Sequence, residues 1–205
     1  MITLYGFDTV NTLKVLILLE EIGTAYKLEP INIRTGEQHS AAFRAINPNG
    51  KVPVIVDQVG FQLTESGAIL IHLAERFDCC LAPKGTARDR ALEWLTYQLS
   101  TQGPMFGQIE YWAHLAEPKQ PDLLAHFQKI GQKVLGQMDT RLSQTRYFAG
   151  EDFTIADIAH YAWMTRLAVL GLSLSDAPHI SRWMDDLSQR PAIQRAIAFE
   201  KAIQG

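Results

Sequence analysis

The sequence predicts a small α/β domain followed by an all-helical domain. Short apolar runs alternate with helical patterns in the first third of the chain, whereas the rest shows helical periodicity throughout. A stretch that contains Pro83 and Gly85 separates the two parts, and all four tryptophans lie beyond it. We therefore expect an α/β domain at residues 1–80, a linker at 81–87 and a helical domain at 88–205.

The α/β domain begins with a predicted βαβ unit. Strands are predicted at Ile2–Tyr5 and Tyr26–Ile33, and the apolar helix between them, Leu13–Ile22, ends at Gly23. After a polar and poorly ordered stretch around residues 36–40, the predicted elements are a short helix at Ala41–Ile46, a hairpin of Val54–Val56 and Phe61–Leu63, and a helix at Ser66–Arg76. This order is that of a thioredoxin-like fold, although the spacing also allows other small α/β sheets.

Two local signals mark the helical domain. Thr154 and Asp157 form a capping-box pattern, which predicts the start of a helix and has a structural role. Gly103 and Pro104 interrupt the helix that begins near Arg88, so we expect a kink or a bulge there. The concave side of that bend is a candidate pocket for an electrophile, lined by the aromatic residues Tyr97, Phe106, Tyr111 and Trp112. The alternative is that these rings belong to the core.

Composition restricts the classes of partner. A formal net charge of −3, without any long run of Lys or Arg, gives no electrostatic footprint for nucleic acid or for an anionic membrane. The first residues lack a basic segment followed by an apolar one, and no stretch reaches the roughly 18 apolar residues of a membrane span. We therefore expect a cytoplasmic protein that binds small molecules or proteins. No metal site is expected.

Cysteine usage limits the redox chemistry. The chain has only Cys79 and Cys80, which are adjacent and cannot join distant segments. They also lack the spacing of a C-x-x-C dithiol motif. Any redox chemistry therefore has to use a thiol from another molecule.

The most informative local motif is the turn Asn49–Val54, which leads through Pro53 into a strand. If the peptide bond before Pro53 is cis, the main-chain N–H and C=O of Val52 face a groove and can pair with an extended peptide. Such a groove suits a peptide-like cofactor. A proline that merely begins a strand is the alternative.

A second motif lies at the start of the next helix. Free backbone N–H groups and the helix dipole favour an anion there, so Ser66 can hold a carboxylate. The neighbouring Glu65 can accept an ammonium group, and together the two residues match the end of an α-amino acid. A helix cap without a ligand is the alternative.

Three motifs in this order resemble the glutathione transferase superfamily over nearly the whole chain. They are Asn47–Pro53, Leu63–Ile69 and Phe153–Ile158. The resemblance implies a thioredoxin-like domain that binds glutathione as a co-substrate, a helical domain that binds the second substrate, and a homodimer whose helices near residues 66–76 and 88–112 face the partner.

The resemblance also implies roles for individual residues. Val52 would pair with the cysteinyl backbone of glutathione next to a cis Pro53, and Glu65 and Ser66 would hold the γ-glutamyl group. Lys51 would lie near the glycyl end or the tripeptide backbone. Gln38 and His39 are the weaker candidates for the glycyl carboxylate.

The segment that would activate the thiol departs from the family's usual patterns. The usual Ser-x-x-Ser-like or Cys-Pro pattern is absent after the first strand, and Tyr5 is either the catalytic hydroxyl of some classes or a core residue. Thr9, Asn11 and Thr12 instead place neutral donors at a helix start, where the dipole stabilises a thiolate. Thr9 and Asn11, with the segment Gly103–Gln108, resemble the bacterial nu-class branch, which is linked to glutathione-dependent disulfide reduction.

The sequence therefore predicts an enzyme that activates glutathione as a thiolate for attack on a disulfide or on a small hydrophobic carbon electrophile. Disulfide reduction is expected to exceed aryl-halide conjugation. The alternative is a non-catalytic interaction or regulatory protein with the same fold.

Overall fold

The computed structural model describes residues 1–203 and divides into two compact units. The first contains residues 1–81 together with the chain from Gln189 onward, and the second contains residues 82–188. No helix among the described residues is both long enough and apolar enough to cross a membrane.

The first unit is built on a mixed four-stranded sheet. Its elements are β1 (Ile2–Gly6), α1 (Val10–Ile22), β2 (Tyr26–Pro30), α2 (Ala41–Ile46), β3 (Val54–Val56), β4 (Gln62–Thr64), α3 (Ser66–Phe77) and, at the end of the described chain, α10 (Pro191–Ile203). The strand order is β2-β1-β3-β4, with β1 parallel to β2 and the other pairs antiparallel. This arrangement confirms the predicted thioredoxin-like fold.

Helix α1 is buried along most of its length. Leu13 and the five residues Val15–Leu19 are completely buried, because α3 and α10 pack against the helix. A helix that is apolar on all sides is stable in water only when it is surrounded in this way. Its carboxyl end closes at Gly23, which has a φ of 70° and donates its N–H to the Leu19 carbonyl.

The carboxyl-terminal helix differs from the predicted domain boundary. The sequence-based boundary assigns residues 88–205 to one helical domain, whereas α10 packs against α1 in the first unit. Arg190 adds a bidentate ion pair to Glu21, with N···O distances of 2.7 and 2.9 Å. Periodicity identifies a helix but carries no information on which core buries its apolar face. Residues 204 and 205 of the predicted domain lie outside the described residues.

The predicted disordered stretch around residues 36–40 is instead an ordered turn. Glu37–His39 form one turn of 3₁₀ helix, and the Glu37 carboxylate accepts a hydrogen bond from the Asn32 N–H at 2.8 Å. Asn32 also accepts from Arg34 N–H at 3.0 Å, which ends the extended segment earlier than the predicted Ile33.

The second unit is entirely helical among its regular elements. These are α4 (Thr86–Tyr97), α5 (Gly103–Glu110), α6 (Pro121–Gln144), α7 (Ile155–Met164), α8 (Leu167–Leu170) and α9 (Pro178–Ser188). Two π-helical segments, Gln98–Gln102 and Tyr111–Leu115, flank α5. The bulge predicted at Gly103 and Pro104 is therefore present as a widened turn just before them, as expected where proline cannot donate to the preceding turn.

The predicted capping box opens α7. The Thr154 hydroxyl accepts from the Ala156 N–H at 3.3 Å, and the Asp157 carboxylate accepts from the Thr154 N–H at 2.9 Å. Asp157 is completely buried and also accepts from the Phe148 N–H and the Trp183 indole N–H, each at 3.0 Å. One carboxylate therefore fixes the helix start, the preceding loop and α9.

Candidate functional site

The amino terminus of α1 forms one wall of the candidate site. Thr9 is the cap residue, and its hydroxyl accepts from the Thr12 N–H at 3.1 Å and lies 2.9 Å from the Thr12 hydroxyl. The Thr12 hydroxyl in turn accepts from the Phe7 N–H at 3.3 Å. When Thr12 donates within the hydroxyl pair, Thr9 has accepted two hydrogen bonds and still has its own proton to donate.

The electrostatics of this wall favour an anion. The first turn of α1 contains no acidic residue, so its free N–H groups and dipole are not offset from within the helix. Asp8, just before the cap, is paired with the Arg34 guanidinium at 2.6 Å. A negative group at Thr9 and Asn11 therefore meets a positive helix end.

A tight turn forms the second wall. The buried Asn47 side chain donates to the Lys51 carbonyl at 2.7 Å and accepts from the Asn49 N–H at 3.1 Å. Gly50 has a φ of 60°, and a Cβ there would lie 2.9 Å from the Gln38 carbonyl oxygen. The peptide bond between Val52 and Pro53 is cis, as predicted.

The start of α3 forms the third wall. Glu65 caps this helix in a conformation that is rare for a residue with a side chain, with φ 65° and ψ 115°. Such conformations cost on the order of 1–3 kcal/mol and are concentrated at ligand sites, where the surrounding structure maintains them. Ser66 is buried, and its hydroxyl makes a long contact of 3.5 Å with the Asn11 side-chain oxygen. The first turn of α3 also has no acidic residue.

Two adjoining cavities lie between these walls. One has a volume of about 250 Å³ and is lined by Thr9, Asn11, Ile33, Gln38, Gly50, Lys51 and Val52. The other has a volume of about 140 Å³ and is lined by Asn11, Asn47, Lys51, Val52, Pro53, Glu65 and Ser66. Asn11, Lys51 and Val52 line both cavities, which together form a groove that begins at two helix amino termini.

The structure thus brings together eight of the residues that the sequence analysis placed at the thiol and glutathione positions, whereas Thr12 and His39 are not among the residues that line the two cavities. The eight are Thr9, Asn11, Gln38, Lys51, Val52, Pro53, Glu65 and Ser66. Ile33 and the Asn47 side chain were not singled out in advance. Asn47 belongs to the Asn-Pro-Asn-Gly turn, which was the available signal, whereas no pattern indicated Ile33.

Gln38 has hydrogen-bonding capacity that the described residues leave unused. Its side-chain oxygen is buried and has no hydrogen-bond partner among the residues that the structure describes, while its nitrogen lies 3.3 Å from the His39 ring. A buried polar atom is normally paired. An unpaired one that lines a cavity is available to a polar ligand.

The aromatic residues predicted for the second substrate are not equivalent. Phe106 is completely buried and packs edge-on against Trp163, so it belongs to the core of the second unit and does not line an open pocket. Tyr111 is 46% exposed, and the Trp112 indole donates to Gln108 at 3.2 Å. Periodicity placed all three on one helix, but it did not distinguish the buried face from the exposed one.

Comparison with known proteins extends this picture. Family models for the N-terminal and C-terminal domains of glutathione S-transferases match residues 1–75 and 90–191. The chain belongs to the glutathione S-transferase family. All three groove walls fall within the N-terminal match.

Two relatives and two solved structures are similar to this chain over most of its length. The disulfide-bond oxidoreductases YfcG and YghU of Escherichia coli are 32% and 30% identical, over 96% and 94% of this chain and 94% and 72% of their own lengths. A Pseudomonas fluorescens family member with two glutathiones bound has a TM-score of 0.88 at 33% identity, covering 95% of this chain and 91% of that one. A Pseudomonas putida transferase with one glutathione disulfide per subunit has a TM-score of 0.87 at 31% identity, covering 95% and 90%.

The side chains in the described part of the chain form no metal site. No group of three or more His, Cys, Asp or Glu side chains among residues 1–203 is placed to hold an ion. The two thiols, Cys79 and Cys80, follow the carboxyl end of α3. They are separated from Ser66 by the length of that helix, roughly 18 Å for its 12 residues.

Proposed function

We propose that this protein binds glutathione, activates it as a thiolate and uses it to reduce disulfides. The observation that carries the proposal is the groove between the amino termini of α1 and α3, where neither helix has an acidic residue in its first turn. Two positive helix ends favour a ligand with a carboxylate and a thiolate at separate positions. The relatives named as disulfide-bond oxidoreductases and the glutathione-bound neighbours support the same function.

The proposed binding mode follows the chemistry of the walls. Ser66 and the α3 amino terminus receive the γ-glutamyl carboxylate, and the Glu65 carboxylate receives the ammonium group. The main chain of Val52, beside Pro53, pairs with the cysteinyl residue. Lys51 and the amide nitrogen of Gln38 face the other end of the tripeptide, where the glycyl carboxylate requires a cation and hydrogen-bond donors. The unpaired Gln38 oxygen is an acceptor and can pair only with an N–H of the tripeptide.

Thiol activation is assigned to neutral donors. The Asn11 side-chain oxygen contacts the Ser66 hydroxyl, which leaves the two amide hydrogens of Asn11 available to the cavity. When the Thr12 hydroxyl donates to Thr9, the Thr9 hydroxyl proton is also available to the cavity. These donors and the α1 dipole stabilise a thiolate without a fixed positive charge, which lowers the thiol pKa moderately. A thiol with a pKa near the ambient pH is the best nucleophile for a disulfide.

The proposed reaction balances with two glutathiones. The first thiolate attacks one sulfur of the substrate disulfide, forms a mixed disulfide and releases the other sulfur as a thiolate, which takes a proton. A second glutathione thiolate attacks the mixed disulfide, forms glutathione disulfide and releases the second substrate thiol. No cysteine of the protein takes part. The neighbours that hold two glutathiones or glutathione disulfide support this sequence.

A direct test compares two substrates. We expect the wild-type protein to turn over a small mixed disulfide with glutathione faster than it conjugates an aryl halide, measured as kcat/KM at pH 7. Faster conjugation of the halide contradicts disulfide reduction as the main activity. Failure of the protein to bind glutathione in titration calorimetry contradicts the whole proposal and favours a non-catalytic role.

We also propose the cytoplasm as its compartment and a homodimer as its assembly. Two unpaired thiols are typical of a reducing compartment. The dimer rests on the family resemblance, in which helices near residues 66–76 and 88–112 face the partner.

A further inference from the structure

Cys79 and Cys80 form a pair whose sulfurs lie unusually close together. The two Sγ atoms are 3.3 Å apart and both side chains are half-buried. In an extended chain, adjacent side chains point to opposite faces. Here the backbone departs from that pattern, because Asp78 and Cys80 both have positive φ, at 49° and 61°.

The strained backbone is fixed by the end of α3. The Cys79 N–H donates to the Ala74 carbonyl at 3.0 Å and the Asp78 N–H lies 3.5 Å from the Glu75 carbonyl, so this bend is part of the helix termination. Positive φ at two residues with side chains costs free energy. The product of that geometry is a preformed dithiol on the surface of the first unit.

We propose that Cys79 and Cys80 form a chelating site for a trivalent arsenical, the class of thiophilic reagent that binds two thiols at one atom. Two bonds of about 2.3 Å, the length of a typical metal–thiolate bond, drawn from one atom to sulfurs 3.3 Å apart enclose an angle of about 90°. That angle suits the pyramidal geometry of trivalent arsenic. Tetrahedral zinc requires a wider angle and four ligands, whereas this site offers two.

The same distance argues against a disulfide as the main product. An S–S bond of about 2.05 Å requires the sulfurs to approach by more than 1 Å, across residues whose Cα atoms are closer together than the 4.4–6.8 Å usual for disulfides. Bridging through a third atom leaves the sulfurs near their present positions. The pair is therefore better placed to hold an atom between its sulfurs than to bond them directly.

The charges around the pair favour a neutral product. Burial raises the pKa of the Cys80 thiol, with Cys79 and Glu21 adding to the effect and Arg190 opposing it. A reaction that leaves a buried thiolate beside Glu21 is therefore disfavoured. Capture of an arsenoxide creates no such charge, because two S–As bonds form, the arsenic–oxygen bond breaks, and both thiol protons leave with the oxygen as water. Arsenic remains trivalent.

Phenylarsine oxide is a suitable probe because it has two exchangeable bonds, and these are the only cysteines in the chain. We expect intact-mass analysis of the reduced full-length protein to show one adduct per chain that survives excess glutathione and is removed by a dithiol. Cys79→Ser and Cys80→Ser should each bind the probe about 100-fold more weakly, because they lose the effective concentration of the second thiol.

Three results would overturn the proposal. They are a wild-type adduct that glutathione removes as easily as it does from the single variants, two adducts per chain, or oxidation of the pair to a disulfide in place of adduct formation. Circular dichroism of each variant verifies its fold. Disulfide turnover by the Cys79→Ser/Cys80→Ser protein, expected to equal that of wild type, separates this site from the proposed glutathione chemistry.

Discussion

Glu65 combines an unfavourable backbone with a charged side chain. A φ of 65° is more favourable for glycine than for a residue with a side chain. This chain nevertheless has a glutamate there, at the amino terminus of α3. Stability alone favours glycine at such a position. The presence of glutamate therefore supports the proposed role of its carboxylate in binding the ammonium group of glutathione.

Substitutions at Glu65 separate these two effects. We expect Glu65→Gln to weaken glutathione binding about tenfold or more, since it removes the charge opposite the ammonium group. Glu65→Gly should weaken binding similarly but be at least as stable as wild type in urea unfolding, because it relieves the positive φ. Titration calorimetry and urea unfolding measure the two quantities. Equal affinity in all three proteins contradicts the placement of the γ-glutamyl end.

Asn11 is the residue that we propose contributes most directly to thiol activation. We expect Asn11→Ala to lower turnover of a mixed disulfide by about one to two powers of ten, because a hydrogen bond to the thiolate is lost. The pKa of bound glutathione, followed by thiolate absorbance, should rise in parallel. Replacement of the exposed Asn49 by alanine is the matched control. An unchanged thiol pKa in Asn11→Ala assigns activation to another group.

At the scale of single elements, helix starts organise both units. The cap of α1 places Thr9 at the groove, and the cap of α7 buries a carboxylate that has no access to solvent. Burial raises the pKa of Asp157 to about 6 from its ordinary 3.8, although hydrogen bonds from Phe148, Thr154 and Trp183 oppose the shift. The α1 cap therefore lines the candidate site, whereas the α7 cap buries a carboxylate whose desolvation costs free energy that its hydrogen bonds partly offset.

The raised pKa predicts a pH dependence of stability. Because the folded protein holds the Asp157 proton more tightly than the unfolded chain, this group stabilises the fold fully below about pH 4 and loses that contribution as the pH rises to about 6. The loss should be on the order of 3 kcal/mol. Urea unfolding of wild type and Asp157→Asn at pH 4 to 7 isolates it. The variant should be less stable than wild type at every pH, since its amide cannot accept all of these hydrogen bonds. The difference in unfolding free energy between the two proteins should narrow toward pH 6. A difference that does not change with pH contradicts the raised pKa of Asp157.

At the scale of the whole molecule, the carboxyl-terminal helix belongs to the unit that contains the groove. Its contact with α1 covers a helix whose amino terminus supplies Thr9 and Asn11. Helix α10 therefore packs against the helix that contributes Thr9 and Asn11 to the proposed site.

Shortening the chain tests this dependence. We expect a chain that ends at Ser188 to have lower thermal stability and faster hydrogen exchange in α1, because α10 and the Arg190–Glu21 ion pair are both removed. Arg190→Met alone should cost about 1 kcal/mol, as expected for a bidentate pair that is partly buried. Unchanged exchange in α1 after truncation shows that the helix does not need α10.

The proposed homodimer is the other prediction at this scale. Light scattering of the full chain at micromolar concentration should give about twice the 23.0 kDa mass of one chain. A mass near that of a single chain contradicts it.

The sequence determined the kind of fold and most of the groove. Strand and helix patterns gave the order of the elements, because periodicity of two or 3.6 depends on the residues themselves. The turn motif and the helix-opening motif identified Val52, Pro53, Glu65 and Ser66, because a proline that leads into a strand and the start of a helix are both evident in the local sequence. The capping box of α7 was also predicted from its local residue pattern.

Only the tertiary structure decided which elements share a core and which side chains face a cavity. Helical periodicity could not assign α10 to the first unit, and it could not distinguish the buried Phe106 from the exposed Tyr111. The adjacent cysteines were evident in the sequence, but their 3.3 Å sulfur separation depends on positive φ at Asp78 and Cys80. Such features arise from packing between residues distant in sequence and from rare backbone conformations, neither of which leaves a local pattern.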